Sequence, residues 1–345
     1  MKVFLTGGTG FIGQPLTQAL LAQGWEVTVL VRKPQSPQAQ ALAALGARLA
    51  PGDVTDPGSL RAPMAGADLV IHNAGHFELG LTAEGRRRME AINQQGTRQV
   101  LGMALELGIP RTVYVSSVVW FGDTGPELRD ESFRRTQPYR YYYEQSKSEA
   151  HDIALDFQQR GLPLIIVCPS QVIGPNDHSV WGYFTRLYLN GWMPPVAWAA
   201  DLKVVHTHVE DIASGIALAG ARGRTGETYL LAGEATSVRE VASYWASRPG
   251  GMRVRLYVPA WLALPLFAPM APLLRMLGLP AFISSETVRA AFWVHMSGAK
   301  AQRELGWSFR PAREAWLSLL DEEIRLRRQP GRKGLAARLR PLEQP

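Results

Sequence analysis

The stretch TGGTGFIG at residues 6–13 decides the fold, because it separates an apolar strand-like segment from an amphipathic helix-like one. Residues 2–6 are predicted as a short buried strand, and the apolar spacing of residues 11–23 predicts a helix. Glycines at such a turn let the backbone approach a pyrophosphate, and the helix N-terminus supplies amide donors and a partial positive charge. The stretch therefore predicts a dinucleotide-binding loop, with a plain glycine-rich turn as the alternative.

Strand-like and helix-like segments continue to alternate after this loop, with the spacing that is typical of βαβ units. Further strands are predicted at 26–32, 48–51, 68–72, 112–116 and 164–168, and helices at 38–45, 82–107 and 141–159. This alternation predicts an α/β protein with a Rossmann, doubly wound parallel sheet. We expect the dinucleotide-binding domain over residues 1–168, with 203–233 returning to it, and a smaller mixed α/β substrate-binding region over 169–324.

The composition describes a folded protein with a sizeable core. Of 345 residues, 46% are hydrophobic and 19% are charged, which excludes a disordered chain, a collagen and a disulfide scaffold. Cys168 is the single cysteine, so no intrachain disulfide can form. Since the chain also opens without a signal-peptide pattern, we expect a cytoplasmic protein, with peripheral contact to a membrane left open.

The net charge of +7 comes from one end of the chain. Residues 325–340 carry seven basic side chains and no acidic one, whereas the remainder balances 30 basic against 30 acidic residues. This distribution predicts a basic, disordered tail over 325–345, or a weak tether to anionic surfaces. It argues against nucleic acid as a partner, because a basic tail is not a base-reading face.

Residues 256–274 contain no charged side chain, and three interpretations are open for them. Four prolines would break a membrane-spanning helix repeatedly, which argues against a transmembrane segment. A buried, kinked segment of the second region is the first remaining interpretation. The other is a hydrophobic lid over a lipophilic substrate, or an interfacial patch assisted by the basic tail.

The end of the second predicted strand indicates which cofactor is bound. Enzymes that bind NAD usually place an acidic residue there to accept hydrogen bonds from the ribose 2′-hydroxyl. This chain has Arg32 and Lys33 instead, and no acidic residue between 27 and 52. Two cations suit the 2′-phosphate of NADP(H), which we therefore expect in preference to NAD(H). Two solvated loop cations are the alternative.

Tyrosine and lysine lie four residues apart in the stretch YEQSK, at Tyr143 and Lys147. On a helix they share one face, so the ammonium could lower the pKa of the phenol. Ser116 and Ser117 end a predicted strand, at the sheet edge where such proteins bind ligands. A phenol, an ammonium and a hydroxyl thus follow a dinucleotide loop in one chain.

At this point the chain resembles the extended short-chain dehydrogenase/reductase family, of the epimerase/dehydratase superfamily, over about residues 1–324. The matching stretches are TGGTGFIG (6–13), Asp53-Val54, HNAG (72–75), NQQGT (93–97), VYVSSVVWFG (113–122), the Tyr143/Lys147 pair, CPSQVIGP (168–175), HVEDIA (208–213) and AKAQRELGW (299–307). The resemblance implies cofactor contacts from Thr6, Gly7, Gly10, Phe11, Ile12, Gly13, Arg32, Lys33, Asp53, Val54, Asn73, Ala74, Gly75 and Lys147.

The resemblance also implies a mechanism of direct hydride transfer between the cofactor and a ketone or secondary alcohol. Tyr143 would be the general acid or base, Ser117 would polarise the carbonyl, and Lys147 would hold the ribose. Asn93 is expected in the catalytic set as well. No metal is expected, because nothing near His206 and His208 completes a metal site and the second histidine falls in a family motif.

Two departures from the family pattern indicate the branch. Nucleotide-sugar enzymes usually place an arginine where this chain has Val204, and a second where it has Cys168. The resemblance is therefore closest to the dihydroflavonol-reductase and 3β-hydroxysteroid-dehydrogenase-like branch, which acts on apolar molecules. A nucleotide-sugar epimerase or dehydratase is the alternative enzyme, and a non-catalytic NADP-binding assembly or sensor protein is the alternative of another class. Homodimers are frequent in the family, so a homodimer is left open as a partner, but nothing in the sequence establishes one.

Overall fold

The computed structural model describes residues 1–249, 253–276 and 282–327. Its strands are β1 (Lys2–Thr6), β2 (Glu26–Val31), β3 (Arg48–Pro51), β4 (Leu69–His72), β5 (Thr112–Val115), β6 (Leu164–Pro169), β7 (Gln171–Ile173), β8 (Val196–Trp198), β9 (Lys203–His208), β10 (Thr228–Leu231), β11 (Glu234–Ser237) and β12 (Leu256–Val258). Its α-helices are α1 (Gly13–Ala22), α2 (Pro37–Ala44), α3 (Arg61–Met64), α4 (Ala83–Glu90), α5 (Gly96–Glu106), α6 (Tyr142–Gln159), α7 (Val180–Leu189), α8 (Val209–Arg222), α9 (Val238–Ala246), α10 (Ala260–Phe267), α11 (Met270–Met276), α12 (Ser285–Arg289), α13 (Ala299–Leu305) and α14 (Ala312–Arg327).

The central sheet has seven strands in the order β10-β6-β5-β4-β1-β2-β3, and every neighbouring pair in it is parallel. The order reverses between β1 and β4, so their carboxyl ends open a crevice, which is where sheets of this type bind ligands. The expected Rossmann fold is confirmed.

Helices cover both faces of this sheet because side chains of a strand alternate between its faces. Val3 and Leu5 of β1 pack in one buried cluster with Leu16 of α1 and Ile212 of α8. Phe4, between them, packs in the cluster on the opposite face, to which α5 and α6 contribute. Burial on both faces explains the nearly continuous apolar sequences of these strands.

The chain leaves the central sheet after β6 and returns to it at β10. β7 pairs with β9 in parallel, and β9 pairs with β11 antiparallel, which makes a separate three-stranded sheet. β8 and β12 form a parallel pair. Residues 228–231 therefore lie in the central sheet, next to β6, whereas 203–208 lie in the smaller mixed sheet.

The helix predicted over 82–107 has three parts. α4 is followed by a π-helical stretch, Ala91–Gln95, and then by α5. Apolar spacing cannot reveal the change, since a single π-turn adds only one residue to the repeat. The physical reason is Asn93, whose side chain bonds the backbone of another segment at this point.

The apolar segment 256–274 lies at the surface. It consists of β12, α10 and α11, with Pro259 at the N-cap and Pro265 inside α10. The interpretation as a buried segment is wrong, because Trp261 is 72% exposed and Leu266 is 67% exposed. Among the residues that the structure describes, no helix is long and apolar enough to cross a membrane.

The first three residues of the basic tail expected over 325–345 are helical. Residues 325–327 are the last residues of α14, which Trp316, Leu319 and Leu320 anchor in the core. The remaining residues of the expected tail, 328–345, lie outside the described residues.

Candidate active site

The glycine loop joins β1 to α1 and is possible only with glycine at two positions. Gly7 has a φ of +72°, and a Cβ placed there would lie 2.7 Å from the backbone of Ala74. A Cβ on Gly13 would lie 1.9 Å from the carbonyl oxygen of Gly7. No side chain caps the N-terminus of α1, and the preceding Phe11 and Ile12 line a cavity. Amides at such a helix start can bind phosphate oxygens.

This cavity has a volume of about 730 Å³ and runs from the glycine loop to the C-terminal region. Most of the residues expected at the site line it: Gly7, Gly10, Phe11, Ile12, Arg32, Asp53, Val54, Asn73, Ala74, Gly75, Ser117, Tyr143 and Lys147. Four of the expected residues are not among the lining residues: Thr6, Gly13, Lys33 and Asn93. The structure therefore brings together residues from six separate stretches of sequence.

A buried chain of hydrogen bonds holds the loop that follows β4. The Thr6 hydroxyl contacts His72 Nδ1 at 2.8 Å, and His72 Nε2 contacts the Thr97 hydroxyl at 3.1 Å. Burial, with a smaller contribution from the Lys147 charge, lowers the pKa of His72 to about 3. Thr6 also accepts a hydrogen bond from the amide of Ala74, so it positions the cavity wall from behind.

Asn73 and Asp53 lie at the crevice, and hydrogen bonds fix the position of each side chain. The Asn73 amide donates to the Gly7 carbonyl at 3.2 Å and so ties the loop after β4 to the glycine loop. Asp53 Oδ1 accepts two hydrogen bonds, from the backbone and the hydroxyl of Thr55, both at 2.9 Å. These bonds fix the Asp53 carboxylate beside Val54 at the cavity wall.

Arg32 and Lys33 separate in space although they are adjacent in sequence. Both are exposed, but only Arg32 lines the cavity. A second arginine, Arg88 of α4, also lines it. Sequence reasoning missed Arg88, since the run of arginines at 86–88 is most simply a solvated helix face. Only the placement of α4 beside the crevice distinguishes the third arginine from its neighbours.

Ser117, Tyr143 and Lys147 converge on the middle of the cavity. Ser117 ends the segment after β5 and its hydroxyl accepts from the amide of Val119 at 3.4 Å. Lys147, one turn after Tyr143 on α6, is buried and donates to the Val115 carbonyl at 3.1 Å and to the Tyr114 hydroxyl at 3.4 Å.

The electrostatics differ from the expectation that Lys147 lowers the pKa of Tyr143. Burial raises the pKa of Tyr143 to about 12, and the hydrogen bond with Ser117 only partly offsets it. Burial also lowers the pKa of Lys147 to about 8. Burial is therefore the dominant influence on this phenol, the Lys147 ammonium does not lower its pKa, and the phenol is protonated at neutral pH. A protonated phenol is a proton donor.

Comparisons with known proteins agree with the geometry of the site. The model of the NAD dependent epimerase/dehydratase family matches residues 3–232. This chain belongs to that family. A "Putative dihydroflavonol 4-reductase" of Synechocystis is 34% identical over 312 residues, which are 88% of this chain and 89% of the relative. "Sterol demethylase protein B" of Methylococcus capsulatus is 31% identical over 75% of this chain and 78% of its own length.

The fold of the epimerase/dehydratase family also recurs among solved structures. The dTDP-glucose 4,6-dehydratase DesIV of Streptomyces venezuelae, solved with NAD and TYD bound, superposes with a TM-score of 0.75. It is 23% identical, and the match covers 95% of this chain and 98% of that one. The resemblance to the extended short-chain family is thereby confirmed, and the chain is an NAD(P)-dependent enzyme of the class that acts on CH–OH and C=O groups.

The residues present fit the dinucleotide that the family binds. A Cβ at Gly7 or Gly13 would collide with backbone, and the glycine loop leaves the uncapped start of α1 at the crevice. The phosphates would lie at Phe11 and Ile12, and Asp53 would take the adenine side. When bound, the dinucleotide supplies or accepts a hydride. This chain would contribute position and field: Tyr143 would hold the proton, and Ser117 would donate a hydrogen bond where negative charge develops.

Asn93 takes a different part from the one expected. It is buried behind the cavity wall, where its amide donates to the His76 carbonyl at 3.0 Å and to the Ser146 hydroxyl at 2.8 Å. Its Oδ1 accepts from the amide of His76 at 2.7 Å. Asn93 is therefore a positioning residue, which holds the loop 73–76 against α6.

The two histidines considered as metal ligands have structural partners. His206 Nδ1 contacts the Thr236 hydroxyl at 2.7 Å, and His208 caps α8 by accepting from the amide of Glu210. Among the described residues, no group of three or more potential ligands could hold a metal ion. Cys168 is buried, and burial raises the pKa of its thiol to about 12.

Proposed function

We propose that this chain is an NADP(H)-dependent oxidoreductase that reduces a ketone, or oxidises a secondary alcohol, on a largely apolar small molecule. The single observation that carries this proposal is the character of the substrate end of the cavity. Its described lining from Pro169 onward includes aromatic and aliphatic residues such as Trp181, Phe184, Trp198 and Phe292, and no Asp, Glu, Lys or Arg.

The positions that distinguish nucleotide-sugar enzymes support the same proposal. Val204 lines the cavity where those enzymes usually present an arginine, and Cys168 is buried in β6. His178 also lines the cavity, but burial lowers its pKa to about 4, so it is neutral at physiological pH. A diphosphate would therefore meet an uncharged wall, whereas an apolar ring system would be desolvated favourably.

The reduction follows from the state of the phenol. Tyr143, protonated at neutral pH, would donate its proton to the carbonyl oxygen of a bound ketone. The Ser117 hydroxyl donates a hydrogen bond to the same oxygen. Lys147 remains close enough to hold the sugar hydroxyls of the cofactor in place. In the reverse direction, the same phenol would have to be deprotonated before it could accept the proton of an alcohol.

Fluorescence titration with NADPH and NADH in parallel, followed by turnover of a panel of apolar ketones, tests the proposal. We expect NADPH to bind about tenfold more tightly, a difference of about 1.4 kcal/mol, and NADPH oxidation only when a ketone is present. Equal binding, NADH-favoured binding or a tightly held cofactor that does not exchange would instead favour an epimerase or dehydratase.

Substituting Tyr143 separates an enzyme from a non-catalytic NADP-binding protein. We expect Tyr143→Phe to lower kcat by about 10²- to 10⁴-fold, because it removes the proton donor, while NADPH binding is retained. Tyr142→Phe is the matched control, since the Tyr142 hydroxyl contacts the Arg86 carbonyl at the protein surface. If both variants turn over at the wild-type rate, Tyr143 is not the acid.

A further inference from the structure

Large apolar side chains form an exposed face on β12, α10 and α11. The face, called the apolar face below, consists of Leu256, Trp261, Leu262, Leu266, Leu273 and Met276. Trp261 is 72% exposed and Met276 is 84% exposed. Contiguous exposed apolar residues on one surface indicate a binding site, whereas scattered ones do not.

Positive charge predominates near the apolar face, where the carboxylates of Glu286 and Asp201 are each paired with an arginine. Residues 241–285 contain no aspartate or glutamate, but four arginines. Arg253 and Arg255 are exposed and directly precede the face, and Arg289 is exposed at the end of α12, which packs against α10. An apolar surface with a cationic rim matches an anionic lipid interface, which offers acyl chains beside negative headgroups.

The last described residue, Arg327, contacts the segment of chain that leads to the apolar face. The guanidinium of Arg327, the last described residue, donates to the Leu189 carbonyl at the end of α7 at 2.6 Å. From α7 the chain runs directly to β8, and β8 pairs with β12, the first element of the apolar face. The residues after Arg327 carry five further basic side chains up to residue 340, and no acidic one.

The apolar face also lies against the wall of the substrate cavity. The ring of Phe267, in α10, lies 4.9 Å from the ring of Trp198. Trp198 lines the cavity, as does Thr287 in α12. The surface that would contact lipid is therefore separated from the apolar end of the cavity by one layer of side chains.

We propose that the apolar face docks this protein onto an anionic lipid bilayer, with Trp261 and Leu266 entering the interface and the surrounding arginines contacting the headgroups. A second copy of the chain fits this surface less well, because a symmetric contact would bring the same arginines together. The docking is interfacial, since α10 and α11 have eight and seven residues.

Vesicle flotation of the full-length protein tests this proposal without any substrate, so its result is independent of the proposed reductase activity. We expect flotation with vesicles that contain phosphatidylglycerol, weaker flotation with phosphatidylcholine alone, and partial release at high salt. The double variant W261S/L266S should bind these vesicles at least about tenfold more weakly than the wild type. NADPH titration of the same variant checks that it is folded.

The matched control is L45S/L128S, which removes two leucines that are 49% and 60% exposed and lie outside the apolar face. It should float like the wild type. The proposal is overturned if the wild type does not bind anionic vesicles, or if W261S/L266S binds as well as the wild type. It is also overturned if sedimentation shows a dimer that W261S/L266S dissociates, because the face would then bind a second copy.

Discussion

Arg32 lines the cavity whereas Lys33 is not among the lining residues, and this difference makes the cofactor preference testable at single residues. We expect Arg32→Ala to weaken NADPH binding about tenfold or more, because a hydrogen bond to a charged phosphate contributes about 1.5–3 kcal/mol. NADH, which lacks the 2′-phosphate, should bind nearly as before. Fluorescence titration with both cofactors measures the change.

Lys33→Ala is the internal control for this measurement. It removes the same charge one residue away, so it reports the effect of net charge alone. If the two variants lose NADPH affinity equally, Arg32 has no direct contact with the phosphate, and the second strand does not select the cofactor.

The sequence alone was sufficient to find the site residues whose geometry depends on spacing within one segment. The glycine loop and the Tyr143/Lys147 pair are of this kind, since a turn or a helix fixes their geometry locally. Arg88 could not be found, because its position depends on where α4 packs. The pKa of Tyr143 was also beyond the sequence: it depends on burial by residues from distant segments.

At the scale of elements, the π-helical stretch Ala91–Gln95 connects two parts of the site. Asn93 lies in it and makes three hydrogen bonds, two to the backbone of His76 and one to Ser146 of α6. We expect Asn93→Ala to lower the free energy of unfolding by about 1–3 kcal/mol, because it leaves buried polar groups unpaired. It should lower kcat more than it weakens NADPH binding, since loop 73–76 borders the reacting centre.

Ser146→Ala provides the comparison, because it removes one of these bonds and leaves both bonds to His76. Chemical denaturation and steady-state kinetics of the two variants should show the smaller effect for Ser146→Ala. Equal kinetics for Asn93→Ala and the wild type would mean that loop 73–76 does not depend on Asn93.

The bounds of β1 and β3 were predicted as the structure has them. The pattern failed where the environment decides the outcome. Residues 256–274 are as apolar as a buried segment, yet α10 and α11 expose much of their surface, because burial depends on what packs against a helix and not on its composition.

At the scale of the whole molecule, buried histidines make stability depend on pH. Burial lowers the pKa of His72, His151 and His206 to about 3 each. In the unfolded chain they bind protons near pH 6.5, so the unfolded state takes up more protons as the pH falls from 6.5 to 3. The free energy of unfolding should therefore decrease over this range, by up to roughly 4 kcal/mol per pH unit.

Asp177 opposes part of this loss, because burial raises the pKa of its carboxyl to about 6 and the folded state takes up that proton first. Urea unfolding at pH 7, 6 and 5 measures the slope. His206→Gln should reduce the slope by up to about a quarter, since one of the four imidazoles with a pKa of about 3 to 4 is removed. A free energy of unfolding that is constant from pH 7 to pH 5 would contradict the assignment of neutral, buried imidazoles.

The position of β10 at the edge of the central sheet has a consequence for synthesis of the protein. The ribosome releases β1 to β6 first, but β10 ends at residue 231 of 345, after the whole of β7, β8 and β9. Until then β6, with the buried sequence LIIVCP, has no partner on its outer side. An open apolar edge of this kind invites pairing with other nascent chains. Between the synthesis of β6 and that of β10, the nascent chain therefore exposes this strand edge. A chaperone that covers strand edges would be most useful during that interval.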